Sequence, residues 1–256
     1  MTTTWVLLRG LARDSRHWGS FVSALEIAHG GDARVIALDL PGNGALHAQR
    51  SPANVAAMVQ AYRSQLLARR ESGPFHLLGL SLGSMVAIAW AQVHPDEVLS
   101  LVAVNGSARN LGWPWERLRL RAWPALARAA WPGTPGARRE HLVLSVCSNQ
   151  ATPHPAADEW ANLAMAAHTR PVNALRQLAS ASRFRVSEAA PSVPMLVLVS
   201  AGDRLVSPEC SLRLAKRWQL PLAIHQHAGH ELALDAPQWL ALRCARWADG
   251  LTPRRP

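Results

Sequence analysis

A serine between two glycines ends an apolar run in the segment Gly79-Leu80-Ser81-Leu82-Gly83. This G-x-S-x-G pattern, between a predicted strand and a predicted helix, is typical of a nucleophile elbow, in which a tight turn places a serine hydroxyl above a sheet. Glycines suit both flanks because a side chain at either position would collide within the turn. We therefore predict that Ser81 is a nucleophile; an ordinary glycine-containing turn is the alternative.

A serine hydroxyl is a weak nucleophile, so it needs a base that accepts its proton and an acid that orients the base. Asp203 follows an apolar run in a turn that contains a glycine, and His230 lies in the loop after the next apolar run. Both are at the carboxyl end of a predicted strand, where open parallel sheets place their sites. We predict a triad of Ser81, Asp203 and His230. In the alternatives, Asp203 only caps backbone amides, or Asp235 is the acid.

Metal binding is another use of histidine, and His225, His227 and His230 are closely spaced. Alternation along a strand explains the spacing of the first two, and no carboxylate or thiolate stands at ligand spacing beside them. We expect neither a metal site nor a cofactor.

Ester hydrolysis through a serine also needs two backbone N–H donors for the negatively charged intermediate. Leu82 follows the serine at the start of a helix, where the helix dipole also favours negative charge. Leu11, in the loop after the first apolar run, is the best candidate for the second donor. In the alternative, Gly10 before it is only a hinge between strand and loop.

The bulk properties are those of a globular protein. The 256 residues are 49% hydrophobic and carry a formal net charge of +10. No apolar stretch reaches the ~18 residues of a membrane span, and the first apolar run is too short for a signal peptide. Cys147, Cys210 and Cys244 are an odd, widely spaced set without a C-x-x-C motif. We expect a soluble protein of the cytoplasm.

The elements that must position the candidate site alternate in type. Apolar runs of strand length are separated by helical patterns, and they lie at residues 5–8, 34–40, 75–80, 98–104, 194–200 and 222–227. Strands that alternate with helices predict a parallel sheet. Ser51, followed by Pro52, is predicted to cap the helix before the third strand.

Residues 107–190 differ from the rest of the chain. They show no strand pattern, and their helical patterns lie at residues 116–130, 138–147, 156–167 and 171–182. A helical insertion between two strands, on the side where Ser81 should lie, predicts a lid. The expected domains are a core of residues 1–106 and 191–256 and a helical lid of residues 107–190.

The motifs together resemble those of the α/β-hydrolase superfamily, specifically the small lidded serine esterases that include the pimeloyl-[acyl-carrier protein] methyl ester esterases. The resemblance covers nearly the whole sequence and rests on Asp39-Leu40-Pro41-Gly42-x-Gly44, Gly79-x-Ser81-x-Gly83, His94-Pro95, Gly202-Asp203 and Gly229-His230. It implies an α/β-hydrolase fold, with about six mostly parallel strands, helices on both faces and a helical lid after the strand that follows the nucleophile helix.

The sequence departs from the family pattern in three places. Arg9 replaces the customary histidine before Gly10, which places a cation near the oxyanion loop. Ser84 stands where many relatives have a second glycine. The first predicted strand resembles the third strand of the family, so the usual amino-terminal strands are expected to be missing or reduced.

The predicted lid is rich in tryptophan and arginine. Acyl pockets are mostly aromatic and aliphatic, so the tryptophans of this segment could line one, and they are Trp113, Trp115, Trp123, Trp131 and Trp160. The candidates for binding the substrate are Trp113, Trp115 and Trp123, together with Arg9 near the oxyanion loop. In the alternative, the tryptophans pack the lid on the core. A predicted docking face for an acidic acyl carrier protein comprises Arg117, Arg119, Arg121, Arg138 and Arg139. A solvated arginine surface is the alternative, and no nucleic-acid recognition motif accompanies the charge.

The sequence therefore predicts a carboxylesterase that forms an acyl-enzyme on Ser81 and hydrolyses it with His230 as the base. A serine in the elbow argues against the related dehalogenases and epoxide hydrolases, which use aspartate there. Three alternatives stay open, since a fold does not determine a function. They are an esterase or thioesterase for a substrate linked to an acyl carrier protein, a lyase with a similar triad, and a ligand-binding protein without catalysis.

Overall fold

The computed structural model describes residues 3–151 and 154–251. The strands in these ranges are β1 (Thr3–Leu8), β2 (Ala33–Leu38), β3 (Phe75–Leu80), β4 (Val98–Val104), β5 (Met195–Ser200) and β6 (Leu222–His225). They form a six-stranded sheet in the order β2-β1-β3-β4-β5-β6, in which every neighbouring pair is parallel. The predictions of a parallel α/β fold and of about six strands are confirmed.

Helices cover both faces of the sheet. They are α1 (Phe21–Ala28), α2 (Val55–Ala68), α3 (Leu82–Val93), α4 (Pro114–Arg117), α5 (Trp123–Ala130), α6 (Gly136–Cys147), α7 (Ala157–Ala166), α8 (Pro171–Arg183), α9 (Pro208–Trp218), α10 (Leu232–Asp235) and α11 (Pro237–Leu251). Buried residues of α2, α3 and α9 belong to one hydrophobic cluster, and those of α1, α10 and α11 belong to a second. Among the helices of the described ranges, none combines the length and the apolar character that crossing a membrane requires.

Residues 5–8 of strand β1 show why the strands contain apolar runs. Val6 and Leu8 join the first cluster, Trp5 and Leu7 join the second, and all four side chains are fully buried. Because successive side chains of a strand point to opposite faces, a strand that is covered on both sides has no position for a solvated residue. Burial of each such side chain contributes roughly 1.5–3 kcal/mol.

Helices α4 to α8 lie between β4 and β5 in the chain. The predicted single helix over residues 116–130 is wrong, because α4 ends at Arg117 and α5 begins at Trp123. Arg119 is extended, and its N–H donates to the carbonyl of Leu205 at 2.9 Å, outside any helix. Pro124 lies in the first turn of α5, where its missing N–H costs nothing; inside a continuous helix it would remove a hydrogen bond.

The predicted N-cap of α2 is also wrong. The helix begins at Val55, and the side chain of Asn54 accepts the N–H of Ala57 at 2.8 Å. The Ser51 hydroxyl donates instead to the carbonyl of Pro41 at 2.7 Å. Ser51 therefore stabilises the loop after β2, and asparagine takes the capping position that suits either residue type.

Candidate active site

Ser81 joins β3 to α3 in a backbone conformation that residues with a side chain rarely adopt. Its φ is 58° and its ψ is −117°. A Cβ added at Gly79 would lie 2.3 Å from the carbonyl oxygen of Gly83, and one added at Gly83 would lie 2.0 Å from the carbonyl oxygen of Leu8. The backbone therefore forms the tight strand-to-helix turn that a nucleophile elbow requires, and strained positions of this kind cluster at functional sites.

The neighbours of Ser81 hold its backbone and leave its hydroxyl unpaired. Its N–H donates to the carbonyl of Val104 at 2.9 Å, and the hydroxyl of Ser84 donates to the carbonyl of Ser81 at 2.6 Å. Ser84, a departure from the family pattern, thus stabilises the elbow. Across residues 3–151 and 154–251, no group forms a hydrogen bond with the Ser81 hydroxyl, and the residue is partly exposed. A substrate can therefore approach this oxygen.

Asp203 and His230 form a buried hydrogen-bonded pair. Asp203 lies after β5 and His230 after β6, and His230 Nδ1 donates to Asp203 Oδ2 at 2.7 Å. The other carboxylate oxygen, Oδ1, accepts the N–H groups of Leu205 and Val206, each at 2.8 Å. Asp203 therefore caps its own turn and orients the imidazole at the same time. With the proton on Nδ1, the Nε2 atom of the neutral ring is a proton acceptor.

The charges around His230 raise the pKa of its imidazole. Burial lowers the pKa of His230, but the charge and hydrogen bond of Asp203 and the charge of Glu231 outweigh it, so the pKa lies above that of an ordinary histidine. Arg9 opposes this rise. The charges of Asp203 and Glu231 therefore favour the protonated form of the ring.

Asn105, which was not predicted from the sequence, holds the backbone of His230. Its Nδ2 donates to the carbonyl of His230 at 2.9 Å and to the hydroxyl of Ser200 at 3.0 Å, and its Oδ1 accepts the N–H of Ser200 at 2.8 Å. Asn105 therefore joins the loop of His230 to the end of β5. A polar residue directly after the apolar run that ends at Val104 was the available sequence signal.

Asp235, the alternative acid, contacts two backbone N–H groups and a serine hydroxyl rather than the imidazole. Its carboxylate accepts hydrogen bonds from Gly229 N at 2.7 Å, Asn149 N at 2.8 Å and Ser148 Oγ at 2.5 Å. These bonds hold the loop before His230 against the end of α6. Asp203, and not Asp235, is the carboxylate that bonds to the ring of His230.

The histidines before His230 have structural contacts. The ring of His225 packs edge-on against Trp239 with centroids 5.2 Å apart. Its Nδ1 accepts the N–H groups of His227 at 3.3 Å and of Ala228 at 2.9 Å. In the part of the chain that the structure describes, no three His, Cys, Asp or Glu side chains are arranged to hold a metal ion.

Leu82 and Leu11 have backbone N–H groups without an acceptor among the described residues. Leu82 is the first residue of α3, so its N–H has no partner within the helix and lies at the positive end of the helix dipole. Leu11 follows Gly10, where an added Cβ would be 3.2 Å from the Cβ of Ser81. Both amides are therefore free to donate a hydrogen bond to a bound group.

Arg9 lies inside the protein, with 3% of its surface exposed. Its Nη2 donates to Glu231 Oε2 at 2.8 Å, and its guanidinium lies over the ring of Trp18, 4.7 Å from the centroid. Glu231 was not singled out in the sequence, although its position next to His230 was a signal. The cation directly after β1 is therefore paired with an anion directly after His230.

The three predicted substrate-binding tryptophans are more than half exposed. Trp113 and Trp115 stack with their ring planes 2° apart, and they are 63% and 53% exposed. Trp123, at the start of α5, is 55% exposed. Trp160 of α7 is buried instead, and Arg13 lies 4.5 Å from the centroid of its ring. Trp160 thus packs α7 on the core, whereas the other three rings are mostly at the surface.

Most arginines of the predicted docking face bond to backbone carbonyls. Arg119 and Arg121 both donate to the carbonyl of Asp203, at 2.9 and 3.4 Å. Arg117 and Arg139 also bond to carbonyls. The exposed side chain of Arg138 has no hydrogen-bond partner among the described residues. Because a carbonyl is neutral, these contacts orient the side chains and leave their positive charge uncancelled.

Sequence comparison matches one family model over most of the chain and individual proteins over part of it. A family model described as "Alpha/beta hydrolase family" matches residues 5–243. The biotin biosynthesis bifunctional protein BioHC of Teredinibacter turnerae is 34% identical over 99 residues, which are 39% of this chain and 16% of that protein. A pimeloyl-[acyl-carrier protein] methyl ester esterase of Nitrosomonas europaea is 32% identical over 113 residues, 43% of this chain and 41% of that protein. The matches span less than half the length of either curated relative.

Structural comparison covers almost the whole chain. A thermophilic esterase from Thermogutta terrifontis superposes with a TM-score of 0.76 and is 22% identical; the match covers 97% of this chain and 90% of that chain. At this level of identity the likeness is one of fold.

Proposed function

The chain belongs to the α/β-hydrolase family, and from that premise we propose that it is a serine esterase with the triad Ser81, Asp203 and His230. The observation that carries the proposal is the buried hydrogen bond of 2.7 Å between His230 Nδ1 and Asp203 Oδ2. It lies at the carboxyl edge of the sheet, where Ser81 occupies the elbow after β3. An oriented imidazole and an unpaired serine hydroxyl are the groups that acyl transfer needs.

In the first step, Ser81 Oγ attacks the carbonyl carbon of the ester while its proton passes to Nε2 of His230. A C–O bond forms, and the π electrons of the carbonyl move to its oxygen. The N–H groups of Leu82 and Leu11 donate hydrogen bonds to this oxyanion. The carboxylate of Asp203 stabilises the imidazolium that has formed.

In the second step, His230 gives its proton to the departing oxygen, the bond to the alcohol breaks, and Ser81 carries the acyl group. A water molecule then attacks the acyl carbon and loses a proton to His230. The second tetrahedral intermediate releases the carboxylic acid, and His230 returns a proton to Ser81 Oγ. The same two N–H donors serve both intermediates.

The proposal is tested with a panel of p-nitrophenyl esters of different acyl length and with a fluorophosphonate probe, which bonds covalently to activated serines. We expect turnover of short esters and a single modified residue, Ser81, in peptide mapping. A folded protein that neither hydrolyses these esters nor reacts with the probe contradicts the proposal. That outcome favours the lyase or the ligand-binding alternative.

We also propose that residues 107–190 form a lid that selects the acyl group. Support comes from the end of α6, where Asn149 Nδ2 donates to the carbonyls of Gly202 at 3.0 Å and of His227 at 2.8 Å. The segment thus contacts the loops of both Asp203 and His230. In this arrangement three exposed rings of the segment line the outer part of the acyl site, those of Trp113, Trp115 and Trp123.

A finer proposal concerns an ester that is linked to an acyl carrier protein, the kind of substrate named for the Nitrosomonas europaea relative. Residues 107–140 contain seven arginines and two acidic residues. Both acids are already paired: Glu116 with Arg213 at 2.7 Å, and Glu140 with Arg13 at 2.8 Å. The remaining positive charge suits an acidic partner. The free cysteines suit the reducing cytoplasm in which we propose that the reaction occurs.

The test compares turnover of a carrier-linked methyl ester with turnover of the free methyl ester at low and high salt. We expect faster turnover of the carrier-linked ester and a smaller difference at high salt, because salt screens exposed charges. Arg138→Glu should lower kcat/KM for the carrier-linked ester alone. Arg246→Glu, the same change of charge at an exposed position of α11, is the matched control. Equal rates at both salt concentrations contradict the carrier proposal and leave the esterase proposal intact.

A further inference from the structure

We propose that Gln177, on α8, is a positioning residue that holds the turn carrying the oxyanion donor Leu11. The inference rests on the proposed esterase function. The turn spans Gly10 to Arg13 and is closed by a hydrogen bond of 3.3 Å from Arg13 N to Gly10 O. Its third residue, Ala12, has a φ of 56°. Because this conformation costs a residue with a side chain about 1–2 kcal/mol, contacts from outside the turn must hold it.

Gln177 and Asn43 provide these contacts through a closed ring of hydrogen bonds. Ala12 N donates to Gln177 Oε1 at 2.8 Å, and Gln177 Nε2 donates to Asn43 Oδ1 at 2.7 Å. Asn43 Nδ2 completes the ring by donating to the carbonyl of Arg13 at 2.9 Å. The ring therefore fixes the N–H of one turn residue and the C=O of the next, so neither peptide group can rotate without breaking a bond.

These bonds determine which amide of the turn is left for a substrate. Arg13 N–H bonds within the turn and Ala12 N–H bonds to Gln177, which leaves Leu11 N–H without an acceptor among the described residues. The carbonyl of Leu11 and the N–H of Ala12 belong to one planar peptide group, so holding the second restricts rotation about Leu11. An oxyanion donor must lie within about 3 Å of the charge that develops, and a displacement of about 1 Å costs about 10²-fold in rate.

Burial and a further hydrogen bond hold the side chain of Gln177 in place. It is fully buried, with 0% of its surface exposed, and its Nε2 also donates to the hydroxyl of Ser51 at 2.9 Å. An unpaired buried amide costs about 1–3 kcal/mol, so the side chain stays in the ring. Gln177 therefore fixes the position of the oxyanion turn, within the core, relative to α8, within the proposed lid.

Asn173 provides a matched control on the same helix. It lies one helical turn before Gln177, is 2% exposed, accepts the N–H of Ser51 at 2.9 Å and donates to the carbonyl of Gln49 at 2.9 Å. Like Gln177 it therefore fixes α8 to the loop after β2, but it has no bond to residues 10–13. If looser packing of α8 is the only effect, substitutions at the two positions should change kcat equally. If the turn is displaced, only the substitution of Gln177 should lower kcat.

The test compares Gln177→Met with Asn173→Leu, two apolar replacements of similar size. The measurements are kcat and KM for p-nitrophenyl butyrate, the thermal midpoint Tm, and the inhibition constant of a trifluoromethyl ketone with the same acyl chain, which becomes an oxyanion when Ser81 adds to it. We expect Gln177→Met to lower kcat about 10- to 100-fold at nearly constant KM. Binding of the ketone should weaken by the same factor. Asn173→Leu should lower Tm similarly while kcat and ketone binding stay close to those of the wild type.

The outcomes separate this inference from the proposed function. Equal losses of kcat in the two variants, or an unchanged kcat in a folded Gln177→Met, overturn the role of Gln177 and leave the esterase proposal in place. A wild-type protein without esterase activity overturns both. If Gln177→Met does not fold, Asn43→Ala removes the two bonds of the ring that Asn43 forms, one with Gln177 and one with the carbonyl of Arg13. It should give the same parallel loss of kcat and ketone binding; unchanged values overturn the inference.

Discussion

Arg9 and Glu231 form an ion pair of 2.8 Å in which 1% and 5% of the side-chain surfaces are exposed. The pair joins the residue directly before the turn that carries Leu11 to the residue directly after His230. A buried charge without a partner is costly, so each side chain is confined to this contact. The proposed oxyanion donor and the proposed base are therefore connected by one charged contact, and its removal should change both the pH dependence and the stability.

Glu231→Gln should move the acid limb of the pH–rate profile to lower pH. Burial and the charge of Arg9 lower the pKa of His230. The charges of Asp203 and Glu231 raise it, and the pKa lies above the ordinary value of histidine. The base acts only when it is neutral, so activity falls as the pH drops through this raised pKa. Glutamine removes a charge that raises the pKa and leaves the charge of Arg9 unopposed, and both effects lower the pKa.

This prediction is checked by measuring kcat/KM for a p-nitrophenyl ester across the acid limb. Glu159→Gln, the same change at an exposed position of α7, should leave the limb in place. A limb that stays fixed or moves to higher pH in Glu231→Gln contradicts the electrostatic role of Glu231.

Arg9→Met should destabilise the protein by about 3–5 kcal/mol, because it leaves Glu231 buried without its closest counterion. The double variant with Glu231→Gln should be more stable than the sum of the two single losses implies, since no unpaired charge remains. Urea unfolding of the four proteins measures the coupling. Strictly additive losses of unfolding free energy contradict the prediction, because they show that the two side chains stabilise the protein independently.

Asp203→Asn should lower kcat by about 10³- to 10⁴-fold, because an amide neither stabilises the imidazolium nor holds the required tautomer of His230. Asp235→Asn is the control, since Asp235 bonds to Gly229, Ser148 and Asn149 rather than to the ring. It should lower the Tm and keep kcat within about tenfold of the wild type. Equal losses of kcat in the two variants contradict the assignment of Asp203 as the acid.

The positions of Ser81, Asp203 and His230 could be predicted from the sequence because each follows a run of strand length. The runs before Ser81 and Asp203 are continuously apolar because β3 and β5 are buried on both faces. The run before His230 is β6, at the edge of the sheet, where exposed and half-buried positions alternate. The glycines beside Ser81 carry the signal of the elbow for a steric reason, since a Cβ at Gly83 would overlap the carbonyl of Leu8. Six strands and their parallel arrangement followed from the same runs. The catalytic roles of the three residues remain predictions.

The supporting contacts could not be predicted because they join residues that are far apart in the chain. Arg9 and Glu231 are 222 positions apart, and Ala12 and Gln177 are 165 positions apart. The break between α4 and α5 also depends on a distant contact, that of Arg119 with Leu205. Local patterns report burial and turn chemistry, whereas such pairings appear only when the sheet and the helices are assembled.

The native protein should resist thiol reagents and keep its esterase activity in their presence. Cys147, Cys210 and Cys244 are free and buried, and burial raises the pKa of all three thiols, that of Cys210 to about 11. The thiolate is the reactive form, and little of it exists at neutral pH in such surroundings. Mass spectrometry after treatment with N-ethylmaleimide should find no adduct on the folded protein and three on the unfolded one. Inactivation of the folded enzyme contradicts this account.

The central claim, that Ser81 is the nucleophile, is tested most directly by the rate of p-nitrophenyl butyrate hydrolysis in Ser81→Ala. Ser145→Ala, at an exposed serine of α6, is the matched control. We expect Ser81→Ala to keep the wild-type Tm, to lower kcat by about 10⁴-fold or more, and to lose labelling by a fluorophosphonate, while the control behaves as wild type. Hydrolysis by Ser81→Ala at a rate near that of the wild type, or continued labelling of this variant, contradicts the claim.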